Sequence, residues 1–158
     1  MKYSVIIRTF NSEATLPETL GSLDAQTVRP ERLIFVDSGS SDGTLALLPE
    51  SSVVHRYVGT EFNYADALNQ GLPFVETEYV AIISSHTSLE HPASMAYALR
   101  VLRADERIGA AYFTFERTSE LTHDLIDERS FNGFNGLWNT CSVIKSGLLR
   151  ERRFRPTE

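Results

Sequence analysis

The stretch RLIFVDSGSSDGT, residues 32–44, decides the fold. Its first half is apolar, β-branched and aromatic, with no polar alternation, the pattern of a strand covered on both faces. Its second half breaks that strand with an acid, serines and glycines, the chemistry of a tight turn. TLALL, residues 44–48, then opens a helix, with Asp42 placed to cap it. A strand buried on both faces, ending in a carboxylate and hydroxyls, delivers polar groups to the rim of an open sheet.

The same arrangement recurs on either side. YSVIIR (3–8) is a second apolar run that reads as a strand. TLPETLGSLDAQ (15–26) follows it, with Leu16, Leu20 and Leu23 at helical spacing. Thr15 and Glu18 fit a capping box, and Pro17 falls in the first turn, where a missing N–H costs little. Downstream, SVVHRYV (52–58) reads as a strand and NYADALNQGLPFV (63–75) as a helix, loosened near Gly71 and Pro73. YVAII (79–83) is another buried strand, PASMAYALRVLRAD (92–105) a helix and IGAAYFTF (108–115) a fifth strand. This alternation of strand and helix with short connections demands an α/β fold with a mostly parallel sheet and helices on both faces.

Past residue 115 the pattern weakens. ERTSELTHDLIDERS (116–130) reads as a loop or a short helix. FNGFNGLWN (131–139) has the glycine, asparagine and aromatic content of a loop that packs on a ligand or lid. CSVIKSGLL (141–149) reads as a strand entering a helix. RERRFRPTE (150–158) carries no stop signal, and the expectation is a single domain over 1–158 that is incomplete at its carboxyl end.

Bulk properties narrow the function. The chain has 158 residues and a net charge of −6. With no long basic run it lacks the Lys and Arg needed to displace phosphate counterions, which argues against nucleic acid as a partner. Its single cysteine, Cys141, has no internal disulfide partner. Without a visible signal peptide, that points to a cytoplasmic, reducing setting. No apolar run approaches the ~20 residues of a membrane span. The chain lacks GxGxxG after its first strand, a P-loop, a CxxC pair, zinc-ligand spacing among its histidines and a GxSxG elbow. Dehydrogenase, P-loop and serine hydrolase readings fall with them.

In open parallel sheets ligands bind beyond the carboxyl ends of the strands. Those ends deliver Arg8, Thr9, Phe10 and Asn11 from the first strand, Asp37, Ser38 and Gly39 from the second, and Ser84, Ser85 and His86 from the fourth. Asp37 either accepts a hydrogen bond from a base or ribose or caps its own turn. Asn11 is a ligand contact or an Asx-turn residue.

These pieces together resemble inverting family 2 glycosyltransferases with the GT-A (Rossmann-like) fold. The resemblance rests on Thr9-Phe10-Asn11, on Ser22-Leu23 with Gln26, on the run from Asp37 to Thr44, and on FNYADALNQG (62–71). It covers residues 3–115 well and 130–150 loosely. It implies a nucleotide-sugar-binding part over 1–115 and the start of an acceptor-binding part over 116–158. The implied donor is a UDP-, GDP- or dTDP-sugar, and the implied acceptor a saccharide or lipid-linked group, through which alone a membrane would be met. Asp37 would bind the base, Thr9, Phe10 and Asn11 would line the base and ribose pocket, and Asp42 would shape the turn.

The sequence departs from the family where EYVAIISSH (78–86) replaces a run with two carboxylates that hold a divalent metal, Mn2+ or Mg2+, against the diphosphate. Ser84 and Ser85 fall in that motif, and His86 stands in place of the last acid. His86 is open to three readings: a metal ligand, a direct donor to the diphosphate as imidazolium, or a turn residue bonded to a carbonyl. Asp66 is a second departure. It is a candidate donor contact, or the acid in the first turn of a helix capped by Asn63. Inversion needs a carboxylate base. The resemblance places it after WNTCSVIKSGLLRERRFRP (138–156), so it is Glu158 or an acid beyond the end, with Trp138 and Asn139 bordering the acceptor. Asp124, Asp127, Glu128 and Glu151 read as solvated charges. The rival expectation is a nucleotide-binding or scaffolding module of this fold without catalysis.

Overall fold

The computed structural model describes residues 1–114, 120–131 and 140–155. Six strands form one sheet in the order β3-β2-β1-β4-β6-β5. They are β1 (Tyr3–Thr9), β2 (Arg32–Asp37), β3 (Val53–Arg56), β4 (Tyr79–Ser84), β5 (Ala110–Tyr112) and β6 (Cys141–Lys145). The four strands from β3 to β4 run parallel, whereas β6 is antiparallel to both β4 and β5. The mostly parallel α/β architecture is therefore the one expected. The fifth strand is shorter than expected: it spans Ala110–Tyr112 at the sheet edge, where it pairs with β6.

Side-chain alternation sends each strand's residues to two cores. One face packs Tyr3, Val5, Ile7, Phe35, Ala81 and Ile83 beneath α1 (Leu16–Asp24) and α3 (Ser94–Ala104). The other packs Ile6, Ile34, Val36, Val80 and Ile82 beneath α2 (Tyr64–Gly71) and α4 (Ser146–Glu151). β1 and β4 are polar mainly at their ends, and the one interior hydroxyl, Ser4, is bonded to Thr77 Oγ1 at 2.9 Å. Helices thus cover both faces, as the uninterrupted apolar runs require.

Two local expectations are corrected. TLALL forms a 3-10 helix, Gly43–Leu47, and not an α-helix. Leu48 precedes Pro49 and is extended (ψ 131°), because the proline ring disfavours helical geometry in the residue before it. Asp42 does cap that turn, accepting from Thr44 N at 3.0 Å. The capping box at Thr15 does not form. Thr15 is already in the helical region and its side chain caps nothing. Glu18 instead accepts from Ser88 Oγ at 3.1 Å.

Cys141 opens β6 and is buried against the α1/α3 core. Burial pushes its thiol up to about 12. The thiolate is the reactive form, so the native protein should not react with a disulfide-exchange dye at pH 8. Full reaction of one thiol is expected only on unfolding in urea, and stoichiometric native labelling would contradict this burial.

Candidate active site

The carboxyl ends of β2, β1 and β4 are adjacent and level. Thr9 stands opposite Asp37, and Arg8 opposite Ser84. The rim anticipated from the strand ends is therefore continuous, and the turns after these strands are laced together across it.

Asp37 is the centre of that lacing. Only 3% of it is exposed. Its Oδ2 accepts from Thr9 Oγ1 at 2.9 Å and from Ser40 Oγ at 2.6 Å. Its Oδ1 accepts from the N–H groups of Gly39 and Ser40, both at 2.9 Å. A carboxylate has about four acceptor positions, and donors from the chain fill all of them. Burial alone would raise this carboxyl, but the Ser40 hydroxyl and N–H, the Thr9 hydroxyl and the Gly39 N–H outweigh it and hold it below the usual carboxylate range. Gly39 (φ 94°) lets the chain turn back over the carboxylate in a conformation a side chain would strain. The carboxylate thus caps its turn. A base meeting this corner reaches Asp37 only if the Ser40 hydroxyl, on the more open side, rotates away.

The first turn is tied to the second. Asn11 adopts φ 47°, the left-handed region that asparagine tolerates. Its Oδ1 accepts from Ser41 N at 2.8 Å, and its own N–H donates to Ser40 Oγ at 2.9 Å. Ser12 joins three turns at once: its N–H donates to Thr44 Oγ1, and its hydroxyl lies 2.9 Å from Ser85 Oγ. Glu13 accepts from Gly43 N at 2.9 Å. Phe10 is 62% exposed, a ring free to meet a ligand from the solvent side.

At the end of β4, Ser84 and Ser85 are buried and His86 is exposed. Ser84 Oγ lies within hydrogen-bonding distance of both ring nitrogens of His86, 3.2 Å from each. The donor set here does not fit a hard divalent cation, which favours carboxylate oxygens. It offers two hydroxyls and one imidazole, and among the described residues no group of three His, Cys, Asp or Glu side chains could hold a metal.

Asp66 sits in the first turn of α2. Asn63 caps α2 by accepting from Asp66 N at 3.0 Å, and the Asp66 carboxylate accepts from Gln70 Nε2 at 2.9 Å. That is the helix-start arrangement weighed for it. Asp124, Asp127, Glu128 and Glu151 are exposed. Glu158, Trp138 and Asn139 lie outside the described residues.

Sequence reasoning missed Ser12, Ser40 and Thr44, whose hydroxyls do the lacing, and gave no role to Arg8. The one signal for Arg8 was a charge in the penultimate position of an otherwise closed strand. Cavities of about 420 and 370 Å3 lie away from the rim, beside Tyr97 and His123 and beneath Leu20 and Pro49. The rim is marked by its convergent polar groups.

A mostly parallel sheet with three polar strand ends side by side defines an α/β protein of the kind whose ligands bind beyond the carboxyl ends of the strands. Comparison with known proteins sharpens the class. The model of Glycosyl transferase family 2 matches residues 4–152, and the chain belongs to that family. A PGL/p-HBAD biosynthesis glycosyltransferase of Mycobacterium bovis is 32% identical over 101 residues, 60% of this chain and 39% of the relative. The chain thus spans well under half the length of that curated relative. Among solved structures, residues 1–349 of S. aureus TarS superpose with a TM-score of 0.77 at 20% identity, over 96% of this chain and 49% of that one. The mannosyltransferase PcManGT from Pyrobaculum calidifontis, in complex with GDP-Man and Mn2+, gives 0.72 at 23% identity, over 99% and 48%. The fold is that of the GT-A glycosyltransferases. Among the described residues no helix is long and apolar enough to cross a membrane.

Proposed function

We propose that this chain is the donor-binding part of an inverting glycosyltransferase, taking a UDP-, GDP- or dTDP-sugar and serving a saccharide or lipid-linked acceptor. The observation that carries the reading is the level, laced rim of β2, β1 and β4 in a chain of family 2. Thr9, Asp37, Phe10 and Asn11 shape the base and ribose end, with Asp37 acting through the turn it caps. Ser84, Ser85 and His86 form the diphosphate end, and His86 donates to it directly. In the transfer, the acceptor oxygen bonds to the anomeric carbon from the face opposite the donor oxygen. The bond to that donor oxygen breaks with its electron pair leaving on the nucleoside diphosphate, and the acceptor proton passes to a carboxylate base, for which Glu158 is the candidate.

The test is calorimetric titration of UDP, GDP and dTDP, each in EDTA and in Mn2+. One of them should bind at or below millimolar concentration. Absence of binding by all three in both buffers overturns the reading. His86→Ala should weaken the diphosphate that binds. Unchanged affinity, with an unchanged response to Mn2+, would remove His86 from the site, whereas a Mn2+ response lost only in the variant would make it the metal ligand expected from the resemblance. The carboxylate-free corner also favours a second reading, nucleotide binding without turnover. Donor hydrolysis or transfer by the protein would exclude it.

A further inference from the structure

Arg8 is a cation set between two strands at the carboxyl edge of the sheet. It lies in register between Val36 of β2 and Ser84 of β4. It follows Ile6, and Ser84 follows Ile82, on the α2 side of the sheet, so Arg8 and the Ser84–His86 corner share one side of the rim. Its guanidinium carbon sits 4.6 Å from the centroid of the Tyr64 ring, at the first residue of α2. Its Nε and Nη1 are buried and have no hydrogen-bond partner among the described residues. The ion pairs of the described chain are Lys2–Glu31, Arg29–Asp24, Arg32–Glu76 and Arg107–Asp105, and none of them uses Arg8.

A buried cation without an anion is destabilising, and structural arginines are paired for that reason. Burial draws the Arg8 pKa down from its ordinary value, with Tyr64 acting in the opposite sense, yet a guanidinium stays charged at any working pH. Stacking on Tyr64 uses only its face. The N–H groups lie in its plane, in the geometry that suits phosphate oxygens, and Nε and Nη1 are unpaired among the described residues, so a ligand reaches them only if the groups covering them shift. The neighbouring corner, meanwhile, has among the described residues no cluster of carboxylates that would hold a cation there.

Resting on the donor reading above, we propose that Arg8 is the diphosphate-binding cation of this site. It supplies from the protein the positive charge that a carboxylate-held metal would otherwise bring, and Tyr64 holds it in place. Binding of the donor's diphosphate would then be metal-independent, and the orphaned nitrogens would gain their partners from the ligand.

The experiment compares wild type, Arg8→Met and Arg8→Lys by titration in EDTA. The ligands are UDP, GDP and dTDP, with uridine, guanosine and thymidine as phosphate-free controls, and thermal unfolding is read in parallel. For the base that binds, Arg8→Met should weaken the diphosphate by about tenfold or more while leaving the nucleoside unchanged. Arg8→Lys should fall between. The Tm of ligand-free Arg8→Met should match or exceed wild type, by up to ~4 °C, since an unpaired charge is removed. Undiminished diphosphate affinity in Arg8→Met overturns the proposal and leaves the donor reading standing. So does an equal loss for nucleoside and diphosphate with a lowered Tm, which marks a structural role. Wild-type protein that binds a diphosphate only with Mn2+ also overturns it. If wild type binds none of the three in either buffer, the donor reading falls and Arg8's role with it.

Discussion

Asp37→Ala is expected to lose about 3 kcal/mol of stability and, at a temperature where it remains folded, to weaken nucleoside diphosphate binding by ~30-fold or more. The reason is the number of donors that share one carboxylate. Removal strands the N–H groups of Gly39 and Ser40 and the hydroxyls of Thr9 and Ser40 together. Thr9 is itself 1% exposed, so its hydroxyl has no water to turn to. The Ser40 hydroxyl in turn accepts from Asn11 N, so the first turn loosens with the second. Urea denaturation and titration on the same sample measure both losses.

Asp37→Asn separates charge from shape. Its amide oxygen still takes the two backbone N–H groups, and its NH2 faces two hydroxyls that are able to accept. The turn should survive with a loss of about 1 kcal/mol. Its pH profile should change more. The Asp37 carboxyl is held below its unfolded value, so its stabilisation is complete above the unfolded pKa of about 3.9 and is lost as pH falls through the folded value. The asparagine variant should therefore lose less stability than wild type between neutral pH and the acid limb. Parallel acid limbs in the two proteins would contradict the hydrogen bonding described here.

The strands were legible because burial on both faces leaves an unbroken apolar run. YSVIIR, RLIFVD and YVAII need no knowledge of their partners to be read. The rim followed from them, since a parallel sheet delivers its strand ends to one edge. The cap of α2 by Asn63 was legible too, because its partner lies three residues away. Pairing over long separations was not. β6 enters between β4 and β5 in the antiparallel sense, and nothing in CSVIK says which neighbour it will take. The local signals that failed had a competitor elsewhere: Glu18 met Ser88, 70 residues on, and Thr15 lost its box. The state of the rim was the least legible. Saturation of Asp37 is a count of donors arriving from two strands, and the orphaned edge of Arg8 is a missing partner, which no motif records.

Gly71→Leu is expected to destabilise the chain by about 3 kcal/mol. A Cβ at this position would lie 3.0 Å from Ile6 Cγ2, 3.1 Å from Val36 Cγ2 and 3.2 Å from Ile6 Cδ1. Both neighbours are β-branched, fully buried and held in the sheet, so neither gives way cheaply. The helix must lift instead. Gly21, in the middle of α1, is the contrasting site: a Cβ there meets nothing within 4 Å. Gly21→Ala should stabilise by roughly 0.5–1 kcal/mol, because alanine restricts the unfolded chain and favours the helix. Denaturant midpoints of the two variants should therefore move in opposite directions, and a shared direction would mean that backbone propensity, not contact with β1 and β2, governs position 71. The same lift reaches the rim. Tyr64 rides on α2 at its other end, 4.6 Å from the Arg8 guanidinium. A helix raised off Ile6 and Val36 carries that ring away, so Gly71→Leu should weaken diphosphate binding under folding conditions through Arg8's support, without altering any group that touches the ligand.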